Sequence, residues 1–152
     1  MKRAKPRAAV ILIQDGKIAL LERNRRGTRY FVFPGGGVDK GETVEQAAAR
    51  EADEELGVQV TVSRVVAEVW YNGMPQYYFL AEMTGGDFGS GHGKEMSSSS
   101  DSGQGSYRPC WIPVAELTTL PVLPSALARY ILNACRDGWP EQPLRLREAT
   151  PD

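Results

Sequence analysis

The chain has 152 residues, of which 41% are hydrophobic and 24% charged, with a net charge of −1. This is too apolar for intrinsic disorder, and its longest aliphatic run, Ala8–Ile13, is far short of the ~20 residues a membrane span needs. No net field gathers nucleic acid, and a single domain of this size buries roughly 70% of its unfolded surface without disulfide or metal staples.

Taken in order, the basic segment 1–7 reads as an N-terminal tail. The residues after it lack the apolar stretch and cleavage site of a secretory signal, so the cytoplasm is the expected compartment. One domain is expected over residues 8–138. Ala8–Ile13 and Lys17–Arg23 are apolar runs joined by Gln14-Asp15-Gly16, a hairpin signal. Arg29–Phe33 reads as a strand stopped by Pro34. Three glycines and a polar turn lead into a helix over Val44–Leu56, with Thr43 and Gln46 as a capping box and Gly57 at its end. Val58–Tyr71 and Gln76–Met83 form two strands around an Asn72-Gly73 turn, and Pro109–Val114 forms a short further one. Pro124–Arg136 has apolar residues at helical spacing, and residues 139–152 read as a tail. Strands, helix, strands, helix imply an α/β fold, a mixed sheet with a helix on each face.

Thr84–Ser106 is dominated by Gly and Ser. It is either a mobile loop or a substrate-side lid carrying Asp87 or Glu95. Cys110 and Cys135 lack CxxC spacing and read as reduced, small apolar side chains. His92 is the only histidine, so a zinc cage or a Cys–His nucleophile is not expected.

The helix poses a question. Wound at about 100° per residue, Glu51, Glu54 and Glu55 share the sector of Ala47, Ala48 and Ala52, while Arg50 and Asp53 lie on the polar side. A solvated acidic face should lie opposite the apolar stripe. Carboxylates beside a core must be neutralised, paired or ligated. Two readings remain: a site for a hard, oxygen-preferring dication, or a helix edge salt-bridged to Arg50. Gly35-Gly36-Gly37 could let backbone approach a ligand, or simply turn the chain.

Gly36, five residues, Glu42, seven residues, Arg50-Glu51-Ala52, one residue, Glu54-Glu55, one residue and Gly57-Val58 together resemble the Nudix box. Phe33-Pro34-Gly35-Gly36 is similar to the usual entry into it. The one departure is Ala52, where a larger aliphatic residue is commoner. The resemblance implies an α/β/α sandwich that hydrolyses nucleoside diphosphates linked to another group, using magnesium or manganese. It implies metal ligation by Glu51, Glu54, Glu55 and the Gly36 carbonyl, with Arg50 orienting the glutamates and Glu42 bracing the loop. Water then serves as nucleophile, with a carboxylate as base. Family members differ in which one, and Glu54, set apart from the closer pair Glu51 and Glu55, is the favoured base here. Mutator-type members add a downstream loop glutamate, which makes Glu95 a further candidate ligand.

Substrate identity is less constrained. Arg23, Arg25, Arg26 and Arg29 read as a phosphate clamp or as a solvated hairpin loop. Tyr30, Trp70 and Tyr78 could stack a base or fill the core. Pro75 and Tyr77 lie near the distances that mark family subgroups, although Asn72-Gly73-Met74-Pro75 also reads as a plain turn. The expected partner is a small nucleotide, with neither membrane nor nucleic acid; the oligomeric state is not fixed, and a homodimer is compatible. The alternatives are a non-catalytic nucleotide sensor and an RNA 5′-end pyrophosphohydrolase.

Overall fold

Alternation along one strand sets the layering of the molecule. The computed structural model describes residues 5–90 and 106–148. In it, β1 (Arg7–Gln14) carries Ala8 to Leu12 with no solvent contact. Successive side chains of a strand face opposite ways. Ala8 and Val10 pack with Ala47, Ala48 and Ala52 of helix α1 (Val44–Leu56). Ala9 and Ile11 pack with Leu127, Ala128 and Ile131 of helix α2 (Ser125–Asp137). A strand apolar on both faces needs cover on both, and the two helices supply it. This is the expected α/β/α sandwich.

The remaining strands are β2 (Lys17–Arg25), β3 (Thr28–Val32), β4 (Gly35–Gly37), β5 (Val58–Tyr71), β6 (Met74–Gly86), β7 (Ser106–Pro113) and β8 (Leu144–Glu148). They form a mixed sheet in the order β3-β2-β1-β6-β5-β8, with β4 paired to β1 and β7 to β2. The β1–β6 and β5–β8 pairs are parallel and the rest antiparallel. β1 meets β2 only at Ile13↔Ile18 and Gln14↔Lys17, because its first residues pair with β4. The sheet therefore parts toward the start of β1, leaving a cleft between its two halves.

Local chemistry explains most boundaries. Asp15-Gly16 and Asn72-Gly73 both take positive φ, as two-residue hairpin turns require. Pro75 is tolerated within β6 because β1 begins pairing only at Gln76. The Thr43–Gln46 capping box is reciprocal, at 3.0 and 2.9 Å, and Gly57 closes α1 with φ 80°. After β6, Asp87 and Gly89 donate to the Gly57 and Leu56 carbonyls, satisfying acceptors that α1 leaves open.

Three details differ from the sequence reading. Gly35–Gly37 is a short strand, because lacking side chains they can lie against β1, where a Cβ on Gly35 would overlap Ala8 and Ala9. β6 extends through Thr84–Gly86, taking the start of the expected Gly/Ser loop, and Ser106 opens β7. Residues 144–148, expected in a tail, pair with β5. His92, Glu95 and the rest of segment 91–105 lie outside the described residues. Among the described residues, no helix is long and apolar enough to cross a membrane.

Candidate active site

The packing of α1 fixes its glutamates. With Ala47, Ala48 and Ala52 fully buried, the helix lies close to the sheet and its next sector meets β4. Glu55 is only 4% exposed, and its Oε1 accepts the Gly35 N–H at 2.8 Å. The Glu51 carboxylate lies against Gly36, where any Cβ would overlap it. Gly36 thus serves close approach to a carboxylate.

Arg50 ties the cluster together. Its guanidinium donates to Glu42 through Nε at 2.8 Å and Nη2 at 3.0 Å, to Glu51 at 2.9 Å, to Glu54 at 3.2 Å and to the Gly37 carbonyl at 2.8 Å. Bonds with Glu42 first, then Glu54 and Glu51, push the guanidinium pKa up against the effect of burial. The Glu42 carboxyl falls to about 2, chiefly through Arg50 and then through the Asp39 N–H, which it accepts at 3.0 Å. The salt-bridged edge is therefore present at Glu51 and Glu54. Glu55, turned toward Gly35, is not among Arg50's partners.

Next to Gly35 and Glu55, a cavity of about 490 Å³ opens in the cleft of the sheet, a size ordinary for a small-molecule site. Among the described residues, Lys5, Arg7 and Arg23 face it against the single carboxylate of Glu55, so this lining suits an anion. Its apolar walls include Leu21, Val32, Phe33 and Leu123. Across the floor Arg7 Nε donates to Gln76 Oε1 at 2.8 Å, and Gln76 Nε2 donates to the Tyr78 hydroxyl at 2.9 Å.

The donor chemistry fits a hard dication. Glu51 and Glu55 both bring oxygen ligands to the β4 glycines, and the Gly36 backbone is adjacent. Among the described residues no group of three His, Cys, Asp or Glu side chains stands ready-made around an ion. Glu51 and Glu54 turn to Arg50 instead. The fit is one of ligand type and proximity.

Of the four arginines in the β2–β3 region, Arg23 lines the cavity, its guanidinium 4.4 Å over the Tyr107 ring. Arg29 does not: strand register puts it with Glu22, its ion-pair partner, on the other side of the ribbon. Tyr78 lines the floor but is 1% exposed and packs edge-on to Phe33 at 5.5 Å, so its ring has no free face for a base. Burial above all pushes its phenol pKa up. Tyr30 and Trp70 are not at the cavity. Arg7, Gln76 and Tyr107 are cavity residues that sequence reasoning missed. Arg7 and Gln76 are 69 positions apart, and only strand pairing joins them.

Comparison with known proteins leads the same way. Residues 4–133 match the family model described as the NUDIX domain. An RNA pyrophosphohydrolase of Erythrobacter litoralis is 37% identical over a match covering 36% of this chain and 45% of that protein. A CTP pyrophosphohydrolase of Escherichia coli is 41% identical, covering 39% and 45%. The chain thus spans less than half the length of either relative. A NUDIX hydrolase structure from Nitrosomonas europaea superposes with a TM-score of 0.70 at 20% identity, covering 97% of this chain and 82% of the other. Box residues, fold and family match agree: the chain belongs to the NUDIX family.

Proposed function

We propose that the chain is a divalent-metal-dependent pyrophosphohydrolase, cleaving a nucleoside diphosphate linked to another moiety by attack of water on phosphorus. The observation that carries this reading is the turn of α1 that sets Glu51 and Glu55 against the β4 glycines at the edge of a cation-lined cavity. Glu51, Glu55 and the Gly36 carbonyl, together with Glu54, would hold magnesium or manganese. Bound there, the ion would supply a polarised phosphoryl oxygen and a water acidic enough to react at neutral pH. Glu54 takes the proton of the attacking water; its side chain is 36% exposed, the most accessible of the three. Arg50 orients Glu51 and Glu54, and Glu42 holds Arg50. Arg23 contacts phosphate at the cavity, and Glu95 is a further candidate ligand. A cytoplasmic site of action goes with a nucleotide substrate.

The test is a panel of nucleoside di- and triphosphate derivatives in oxygen-18 water with magnesium and with manganese. Label should appear in one phosphate-bearing product. Its absence from every product, or full activity in EDTA, would refute the reading. The names of several relatives favour a second substrate, RNA bearing a 5′ pyrophosphate group. A 5′-triphosphorylated oligonucleotide in the same panel separates the two.

A further inference from the structure

We propose that Arg7 is a phosphate anchor of this cavity and that Gln76 is the positioning residue that aims it. The inference rests on the reading of the cavity as a nucleotide site and adds the residues that would grip the substrate. Arg7 opens β1 directly across from Gln76 on β6. Its Nε–H is bound by Gln76 Oε1, and the other end of that amide is fixed by the Tyr78 hydroxyl. Gln76 is 9% and Tyr78 1% exposed, so the core sets the direction of the amide. Flipping it would oppose NH2 to the Arg7 N–H and lose the bond.

Two features separate Arg7 from Arg29, Arg50 and Arg108, which are held in ion pairs. Arg50 is bound by several carboxylates, and Arg29 and Arg108 share that of Glu22, which offsets their charge in whole or in part. Among the described residues, the hydrogen-bond partner of Arg7 is a neutral amide, which orients the guanidinium and leaves its charge uncompensated. With Nε engaged, the two terminal nitrogens form the fork that matches two phosphate oxygens. Arg7 lines the same cavity as Glu55 and Gly35. The phosphate is either the one kept by the nucleoside or the one that leaves, and the recognition chemistry is the same.

Calorimetry in EDTA, with CMP, GMP and inorganic pyrophosphate as probes, tests this without turnover. Arg7→Gln should weaken at least one probe by about tenfold, and Arg7→Lys, which keeps charge but not the fork, should recover only part. Loss confined to the monophosphates assigns the retained phosphate; loss confined to pyrophosphate assigns the leaving side. Gln76→Leu should weaken the same probe severalfold. Gln76→Glu should keep or raise the melting temperature by making an ion pair, yet still weaken the probe by neutralising Arg7. A purely structural role for Gln76 predicts wild-type binding by folded Gln76→Leu, which removes the aiming acceptor without adding a charge. Wild-type affinity in Arg7→Gln, or no binding of any probe to the wild type, overturns the anchor. Wild-type affinity in both Gln76 variants overturns the aiming. A wild type that binds probes but hydrolyses nothing refutes the proposed activity and leaves the anchor standing.

Discussion

Glu42→Gln removes the charge that Arg50 uses as its foothold. The remaining oxygen can still accept from Arg50 Nη2 and the Asp39 N–H, while the acceptor of Arg50 Nε is lost with the negative charge. A folded-state pKa of about 2 against an ordinary value of 4.5 sets a ceiling of about 3 kcal/mol. Arg50 is 28% exposed, and solvent screening brings the expected loss at pH 7 to about 1–2 kcal/mol. For a chain of this size that lowers Tm by about 3–6 °C. The sign is that of a depressed carboxylate: the stabilisation is fully present above pH 4.5, shrinks as pH falls, and is gone below about 2. Denaturant melts of wild type and variant at half-unit steps from pH 7 to pH 2 should show a gap that is constant at first and closes across that window. A gap independent of pH, or none at pH 7, would refute the account of Glu42 as the anionic partner of Arg50.

Two further substitutions probe the carboxylates. Gly36→Ala places a Cβ where the Glu51 carboxylate lies; it should destabilise by about 1–3 kcal/mol and lower turnover at least about a hundredfold, with a normal melt and normal turnover counting against the close approach. Glu55→Gln keeps an acceptor for the Gly35 N–H but removes a buried charge near Glu51. Metal-free stability should rise by about 0.5 kcal/mol. Magnesium at ten times Kd should stabilise the wild type by about 1.4 kcal/mol and the variant distinctly less, with turnover down at least about a hundredfold. Melts in EDTA and in magnesium read both; a variant that melts lower in EDTA and turns over normally contradicts the metal site.

What the sequence revealed was what is encoded locally. The capping box and Gly57 fix both ends of α1, the alanine stripe fixes its buried face, and Asp15-Gly16 and Asn72-Gly73 fix two turns. What it hid depends on distant pairing or on the reach of long side chains. Gly35–Gly37 has no strand propensity and becomes a strand only because β1 lies beside it. The helical wheel put Arg50 on the polar side, correctly for its Cα, but a wheel does not trace the side chain back to Glu51, Glu54 and Gly37. Arg29 and Arg23 look equivalent in the sequence until strand parity sends them to opposite sides of the β2–β3 ribbon. Nothing local marks Arg7 and Gln76 as partners.

The strand that ends the sheet has a consequence for where the folding unit stops. β8 pairs with β5 along Ala67–Tyr71, and Leu144 and Leu146 pack on the core beneath. The family match ends at residue 133, before β8 begins. A chain cut at that family boundary would bare a row of β5 N–H and C=O groups beside an uncovered apolar strip, the template on which sheets add to one another. The intact chain closes that edge with a short strand carrying Arg145 and Arg147, the first of them 3.7 Å from Glu68. Short length and positive charge are the means by which sheet proteins keep further strands from docking. The strand that borders this side of the sheet thus lies outside the stretch that identifies the family.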